Sequence, residues 1–146
     1  MFEKLNQIVR ESEQVFLASE LSQANLNDAM YEATGVIVDV LKSKLDHGKA
    51  DVLMSYFTGK QSNFQDLTSA MVNKYAYRLN SYFSLKMSDA RNLSEQIIPA
   101  VMQKFVQQTQ ESKKQESGVF GLLNWLSGNT VNFENFFVKL NLVKVA

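Results

Sequence analysis

The sequence predicts an all-α fold, a single-domain bundle of six to seven amphipathic helices, and three observations lead to this. Apolar residues recur at spacings of three and four over most of the 146-residue chain, and this spacing places them on one helix face. Glycines and short polar runs separate these stretches, as expected between helices. The chain holds one proline, and 45% of its residues are hydrophobic, which is enough for one packed core.

The central element of this prediction is a helix over residues 88–110. Eight apolar residues share one of its faces, namely Ala90, Leu93, Ile97, Ile98, Val101, Met102, Phe105 and Val106. Ser88 is the predicted N-cap. Pro99 interrupts the pattern, because it cannot donate a hydrogen bond to the carbonyl of Glu95. Ile98 would be a poor N-cap for a new helix, so we expect one kinked helix, with a break as the alternative.

Further helices are predicted on both sides of this central helix. In chain order, the apolar spacing predicts a first helix of about four turns over 2–16, a second over 26–45, a short third over 52–57, a fourth over 67–83, an apolar cluster over 119–126 and a last short helix over 133–140. Residues 140–146 are ambiguous between helix and strand. Gly35 costs about 1 kcal/mol relative to alanine inside the second helix, so we expect a close helix contact there. Gly48 is predicted to end that helix.

Two stretches of the chain resemble each other at an offset of 69 residues. Residues 53–64 and 122–133 both contain an apolar turn with aromatic residues, a Thr-Gly or Ser-Gly step and an Asn-Phe pair. The preceding helices align more weakly, and the length difference falls in the polar run 107–117, where an insertion costs little. We therefore expect an internal two-fold repeat with units 25–64 and 86–133. The alternative is chance recurrence of helix-ending glycines and caps.

The composition excludes several classes of function. The chain has no cysteine, so it lacks disulfides, thiolate chemistry and cysteine-based zinc sites. Its 15 basic and 15 acidic side chains sum to zero charge, whereas nucleic-acid-binding proteins usually carry a basic excess. Residues 1–51 hold nine acids and five bases, and residues 52–146 hold six acids and ten bases. We expect these charges to balance between packed helices, with head-to-tail self-association as the alternative.

No targeting or membrane-spanning segment is visible in the sequence. The N-terminal stretch 1–13 mixes acids and bases and lacks the apolar region of a secretory signal. No apolar run approaches the length of a transmembrane helix. Together with the absence of cysteine, these features lead us to expect a cytoplasmic protein.

The side chains that most often carry catalysis are sparse. His47 is the single histidine and precedes Gly48 at a predicted helix end, where capping is a more typical role than metal binding or a catalytic triad. Asp39, Asp46 and Asp51 are close in sequence but lack the spacing and central glycine of a calcium loop. Neither phosphate-binding glycine motif occurs. We therefore expect a non-enzymatic chain with no catalytic, metal-binding or cofactor-binding residues.

Two groups of residues are candidates for binding. The first interleaves basic and aromatic side chains, and its candidate anion contacts are Lys74, Arg78, Lys86 and Arg91. Aromatic rings stack on bases and cations contact phosphates, but the same pattern fits the solvated flank of a core helix. The second group gathers aromatic residues near the end of the chain, and its candidate partner contacts are Trp125, Phe133, Phe136 and Phe137. These rings either close the core or form an exposed apolar patch for a protein partner.

Three short motifs connect the chain to a family. The N-terminal helix begins Met-Phe-Glu-Lys-Leu, a short helix ends in Phe-Thr-Gly-Lys at 57–60, and Ser-Asp-Ala at 88–90 leads to Ile-Ile-Pro-Ala-Val at 97–101. In this order and spacing the chain resembles the YidB-like bacterial proteins of unknown function, over about residues 1–128. The resemblance implies an all-α fold and a bacterial source, and it supplies no catalytic residue.

From the sequence we expect a non-enzymatic protein-interaction or structural module that binds itself as a homodimer or binds another protein. One alternative is a small-molecule-binding protein or enzyme, which requires a deep pocket between helices where polar groups converge. The other is a weak nucleic-acid binder through residues 74–91, which requires that the four candidate cations share one exposed face without acidic partners.

Overall fold

The regular structure of this chain is helical. The computed structural model describes residues 1–58, 64–112, 118–129 and 132–134. Within these ranges it defines seven α-helices: α1 (Phe2–Arg10), α2 (Glu13–Leu17), α3 (Leu26–Asp46), α4 (Ala50–Phe57), α5 (Phe64–Phe83), α6 (Met87–Glu111) and α7 (Val119–Leu126), with a one-turn 3₁₀ helix (Gln23–Asn25) before α3. The predicted all-α bundle is confirmed. None of the helices in the described ranges has the length and apolarity needed to cross a lipid bilayer.

Helices α3 and α6 share the centre of the packing. Helix α6 pairs with α5 after the three-residue connection 84–86 and also contacts α1, α2 and α4, whereas α3 contacts α1, α2, α4, α5 and α7. The expectation that every other segment packs on residues 88–110 is therefore only partly met. The side chains of Ile97, Val101 and Phe105 are at most 1% exposed, as the helical spacing predicted. The hydroxyl of Ser94 donates a 2.7 Å hydrogen bond to a backbone carbonyl of α5, which holds the two helices together from inside the core.

Helix α6 continues through Pro99. The expectation of one continuous helix is therefore confirmed, and the alternative of a break is wrong. The predicted N-cap is wrong, because Lys86 occupies that position and Ser88 lies inside the first turn. Lys86 has an extended backbone with a ψ of 145°, and its carbonyl already accepts a 2.8 Å hydrogen bond from the N–H of Ala90. The N-cap of α6 therefore lies two residues earlier than the sequence indicated.

The first predicted helix is two helices in the structure. Helix α1 ends at Arg10, and α2 starts at Glu13 after a turn in which the N–H of Ser12 bonds to the carbonyl of Val9, three residues before it. The residues between Val9 and the next apolar position are all polar, so no core side chain holds this segment in the line of α1. The turn lets Phe16 of α2 enter the same core, where its side chain is fully buried.

Two glycines of the second predicted helix behave differently. Gly48 has a φ of +74°, and its N–H bonds to the carbonyl of Leu45 at 3.1 Å, so it ends α3 as expected. The close helix contact expected at Gly35 is wrong, because a Cβ atom placed on this residue would have no heavy atom within 4 Å. Gly35 lies where the buried face of α3 gives way to its solvent face, so no neighbouring helix requires it to be small.

The polar groups inside the bundle are satisfied by one another. The hydroxyl of Tyr56 pairs with that of Thr68 at 2.9 Å, and the hydroxyl of Tyr75 donates to the carbonyl of Ala29 at 2.6 Å. Across the described residues, no buried side-chain nitrogen or oxygen lacks a hydrogen-bond partner. The described interior therefore leaves no polar side chain aimed at a ligand, and we look for binding groups on the surface.

The internal repeat and the end of the chain are only partly covered by the structure. Helices α4 and α7 both span eight residues and follow the two longest helices, but this order alone does not establish the repeat, which stays a prediction. In the polar run 107–117, α6 continues to Glu111, and residues 113–117 lie outside the described part of the chain. The ambiguous segment 140–146 also lies outside it.

Candidate functional site

Ion pairs between helices connect part of the acidic first third of the chain to bases of the remainder. Among the described residues, four of the five salt bridges join an acid of the first 51 residues to a base of the remainder. They are Lys74 to Asp39, Arg78 to Glu32, Arg78 to Asp39 and Lys104 to Glu11. Three of the nine acids in the first 51 residues therefore pair with bases of the remainder within one molecule, as expected for packed helices.

The first two candidate anion contacts belong to this network. The Arg78 side chain is 25% exposed, its guanidinium donates to Glu32 and lies 3.8 Å from Asp39, and it stacks over the ring of Tyr82 at 5.4 Å. Lys74 lies 3.9 Å from the same Asp39 carboxylate. A phosphate would have to compete with two carboxylates for these cations, so the pairing counts against nucleic-acid binding.

The other two candidate cations lie elsewhere on the surface. Lys86, at the start of α6, borders an open polar depression together with Glu20 and Asp89. Arg91 is one turn further along α6 and lines a different groove. The four cations are thus divided among three environments, each of which contains at least one carboxylate. Because they do not form one basic surface, we do not propose nucleic-acid binding.

Two of the four candidate partner contacts close the core rather than form an exposed patch. Phe133 is 5% exposed and belongs to the core cluster, and its N–H donates a 2.8 Å hydrogen bond to the side-chain oxygen of Asn124. Trp125 is half-buried and packs against the same cluster. Phe136 and Phe137 lie outside the described residues, so their part of this prediction stays a prediction.

An open groove of about 400 Å³ lies along the outside of the α5–α6 pair. Its lining comes from both helices: Gln65, Thr68, Ser69, Val72 and Asn73 from α5, and Arg91, Glu95 and Pro99 from α6. Spacings of three and four place each set on a single face of its helix. Because Gln65 and Asn73 are eight residues apart, the groove is about 12 Å long at 1.5 Å per residue. We call this feature the α5–α6 groove.

The floor of the α5–α6 groove is fixed and its rim is polar. Val72 and Thr68 are both 7% exposed, and the Thr68 hydroxyl is held by the buried hydroxyl of Tyr56. Burial raises the pKa of Tyr56 to about 12, so this hydroxyl stays protonated near neutral pH. Ser69 and Asn73 are exposed on the rim, where their side chains can donate and accept hydrogen bonds.

Pro99 supplies the groove with a backbone acceptor. In an uninterrupted α-helix the carbonyl of Glu95 would accept a hydrogen bond from the N–H of residue 99. Proline has no N–H, so this carbonyl lacks its usual helical donor. Glu95 and Pro99 are both lining residues of the groove.

Arg91 is positioned in the groove by an amide and is paired with one exposed carboxylate. Its Nη1 donates to the side-chain oxygen of Asn73 at 3.1 Å and lies 3.8 Å from the carboxylate of Glu95, four residues later. Both side chains of the ion pair are about half exposed, at 46% and 57%. Exposed helical pairs of this kind contribute about 0.3–0.5 kcal/mol, and an arginine before its acid is the weaker order. Both contacts use Nη1, and Nη2 and Nε contact no acceptor among the described residues.

The sequence identified part of this groove and missed the rest. Arg91 was a candidate cation, and the effect of Pro99 on the Glu95 carbonyl was inferred from the pattern. The rim of α5 was missed, although Gln65, Ser69 and Asn73 form a row of uncharged polar residues at spacings of four. Such a row is a usable signal, but its meaning depends on which helix lies beside it.

Comparisons with known proteins identified no relative of this chain. No family model matches the chain, and neither a curated protein nor a solved structure matches it significantly. The resemblance to YidB-like proteins therefore stays a prediction, and the function has to be argued from the geometry.

Proposed function

We propose that this chain is a non-enzymatic protein-interaction module and that the α5–α6 groove is its contact surface. The observation that carries the proposal is the composition of this groove. It combines an apolar floor, a polar rim, an arginine with uncommitted donors and a backbone carbonyl without its helical donor. These are groups that would gain hydrogen bonds from a partner, whereas the polar groups of the described interior already have theirs.

The openness of the groove favours a protein partner over a small molecule. Pockets for small ligands usually enclose about 300–1,000 Å³ and bury most of the ligand surface. The α5–α6 groove, at about 400 Å³, is near the lower end of that range and its rim residues face solvent. A segment of a larger partner can fill such a groove and gain further contacts beside it. An enzyme with a pocket between helices is therefore the weaker alternative.

An exposed tyrosine lies one helical turn beyond the groove lining on α5 and supports the same proposal. Tyr77 follows Asn73 by four residues on α5, so helical periodicity places it next in the row formed by Gln65, Ser69 and Asn73. Its side chain is 64% exposed. Tyrosine and arginine are enriched among the residues that dominate protein–protein binding energies. A partner seated in the groove could cover Tyr77 as well as contact Arg91.

The wider setting of the module is also proposed. A bacterial cytoplasmic protein related to the YidB-like family fits the cysteine-free composition and the sequence motifs. The partner is a second copy of the chain or another protein. Sedimentation equilibrium of the purified chain distinguishes these two partners, because a homodimer would show a concentration-dependent doubling of mass.

Site-specific photocrosslinking tests the contact surface. A photoreactive amino acid is placed at Ser69 or Tyr77 in the groove region, and at the exposed Lys42 of α3 as a matched control. We expect discrete crosslinked species in cells from the two groove positions and none from the control. The partner is then identified by mass spectrometry, and the pair is reconstituted from purified proteins. Crosslinking at Lys42 alone, or none at the groove positions, would contradict the proposal.

A further inference from the structure

The α5–α6 groove also indicates the chemistry of its partner. We infer that it binds an extended peptide segment and that Arg91 receives an aspartate or glutamate side chain of that segment. This inference rests on the proposed function and deepens it, because it names the conformation and the charge of the bound segment. Three features of the groove carry it: its length and rim, the carbonyl of Glu95, and the donors of Arg91.

The length and rim of the groove fit an extended chain. A groove of about 12 Å accommodates about four residues at 3.3 Å per residue. The amide of Gln65 carries a donor and an acceptor, and the NH₂ group of Asn73 is a donor beside the oxygen that holds Arg91; these groups match the unpaired backbone groups of an extended peptide. A docked α-helix would bring a backbone whose groups are already bonded to one another, so it would not use these amides.

The carbonyl of Glu95 is suited to a backbone N–H of the same segment. The proline at position 99 removes its helical donor, and both residues line the groove. An extended peptide offers backbone N–H groups, every second of which points to the same side. A bond from one of these to Glu95 would restore the hydrogen bond that Pro99 removes from α6.

The free edge of the Arg91 guanidinium is suited to a carboxylate. Asn73 holds Nη1 from one side, while Nη2 and Nε form the planar pair of donors that binds a carboxylate through two parallel hydrogen bonds. Glu95 is the competitor at 3.8 Å, and it uses Nη1 only. Because that pair is exposed and weak, a ligand carboxylate with two hydrogen bonds would displace it.

A peptide library tests the inference on the full chain. Random eight-residue peptides displayed on phage are selected against the immobilised protein, and the best sequence is synthesised with an amidated C-terminus, so that only side chains carry carboxylates. We expect the selected peptides to share an aspartate or glutamate. Fluorescence anisotropy should then show at least a tenfold loss of affinity when that acid is replaced by its amide, as is typical of a charge-assisted pair.

Four variants assign the binding to individual groups. Arg91→Gln should weaken the acidic peptide about tenfold or more and leave its amide analogue nearly unchanged. Glu95→Gln removes the competing carboxylate, so affinity should rise about two- to fivefold. Pro99→Ala restores the N–H that occupies the Glu95 carbonyl, so affinity should fall about two- to tenfold while α6 becomes more stable. Lys74→Gln, which removes one positive charge of α5 outside the groove, is the control and should change affinity less than about twofold.

The expected fall in affinity and rise in stability of Pro99→Ala distinguish a binding role of Pro99 from a structural one. If Pro99 had only a structural role, Pro99→Ala would be more stable and would bind the peptide with unchanged affinity. That result would overturn the role of the Glu95 carbonyl. Selected peptides without an acidic residue, or with equal affinity for the wild type and Arg91→Gln, would overturn the inference, as would retention of single-stranded DNA but of no peptide. Crosslinking from Ser69 together with any of these results would leave the proposed function standing and remove only the acidic peptide.

Discussion

Replacing Gly35 by alanine is the sharpest test of the packing around α3. An alanine inside a helix is favoured over glycine by up to about 1 kcal/mol, because glycine loses more backbone freedom on folding. The gain is realised only if the added methyl group has room. At Gly35 a Cβ atom would have no heavy atom within 4 Å, so no clash reduces the gain. We therefore expect Gly35→Ala to raise the free energy of unfolding by about 0.5–1 kcal/mol.

A matched glycine should respond with the opposite sign. Gly48 also has no heavy atom within 4 Å of an added Cβ, but its φ is +74°. An L-residue in this left-handed conformation costs about 1–2 kcal/mol, so Gly48→Ala should destabilise the protein by about that amount. Both substitutions add one methyl group, at Gly35 inside α3 and at Gly48 just after its C-terminus. The two sites differ in backbone conformation, so this difference should decide the sign of the effect.

Urea unfolding followed by circular dichroism at the helix band measures both effects. With a denaturant slope of about 2 kcal/mol per molar, the midpoint should rise by about 0.3–0.5 M for Gly35→Ala and fall by about 0.5–1 M for Gly48→Ala. The melting temperature of the first variant should rise by about 2–4 °C. If Gly35→Ala were destabilised, a neighbouring helix would have to lie close to Gly35, as the sequence indicated. That result would refute the conclusion that a Cβ atom has room at this position.

Three further outcomes follow from the packing and are measured by the same unfolding assay. Phe105→Ala removes a fully buried ring that stacks edge-on against a neighbouring phenylalanine, and it should cost about 3–5 kcal/mol; no measurable loss would place the core elsewhere. Arg78→Ala should cost about 1 kcal/mol and Lys74→Ala less than about 0.5 kcal/mol, because Arg78 bridges two carboxylates and is less exposed; equal costs would contradict the bridging role. Burial raises the pKa of Tyr56 to about 12 and also raises the pKa of Tyr75, so the folded state keeps these protons after unfolded tyrosine has lost its own at about pH 10. Stability should therefore be full below pH 10 and fall above it by about 1.4 kcal/mol per pH unit for each tyrosine, and each Tyr→Phe variant should remove its share of that slope.

The helices were predictable where apolar spacing is continuous. The period of 3.6 residues needs no knowledge of neighbours, and it identified α3 and α6 together with the residues that they bury. The prediction failed where the choice depends on tertiary packing. The turn between α1 and α2 lets Phe16 reach the common core, and α6 begins after Lys86, whose backbone is extended and whose side chain makes no capping hydrogen bond. Neither reason can be found in local composition.

The groove was less predictable than the fold, since it belongs to two helices at once. The sequence indicated that Pro99 frees the Glu95 carbonyl, and it named Arg91 as a cation. It could not indicate that Asn73 would hold Arg91, because the register between α5 and α6 is fixed by buried contacts such as the Ser94 hydrogen bond. The charges show the same limit. The excess of acids and bases in the two halves was countable, but their pairing at Arg78 needed the relative placement of α3 and α5.

Pro99 connects the stability of the bundle to its proposed binding role. A proline inside a helix costs about 3 kcal/mol relative to alanine, yet α6 continues through it because α1, α2, α4 and α5 surround this helix and hold it in place. If the residue served only the fold, alanine would serve better, since it would restore a hydrogen bond and remove the steric conflict. What alanine cannot reproduce is a Glu95 carbonyl without its helical donor, in a residue that lines the groove beside Arg91. Stability and binding should therefore respond in opposite directions to the same substitution, and this trade-off is what a functional groove, rather than a passive surface, requires.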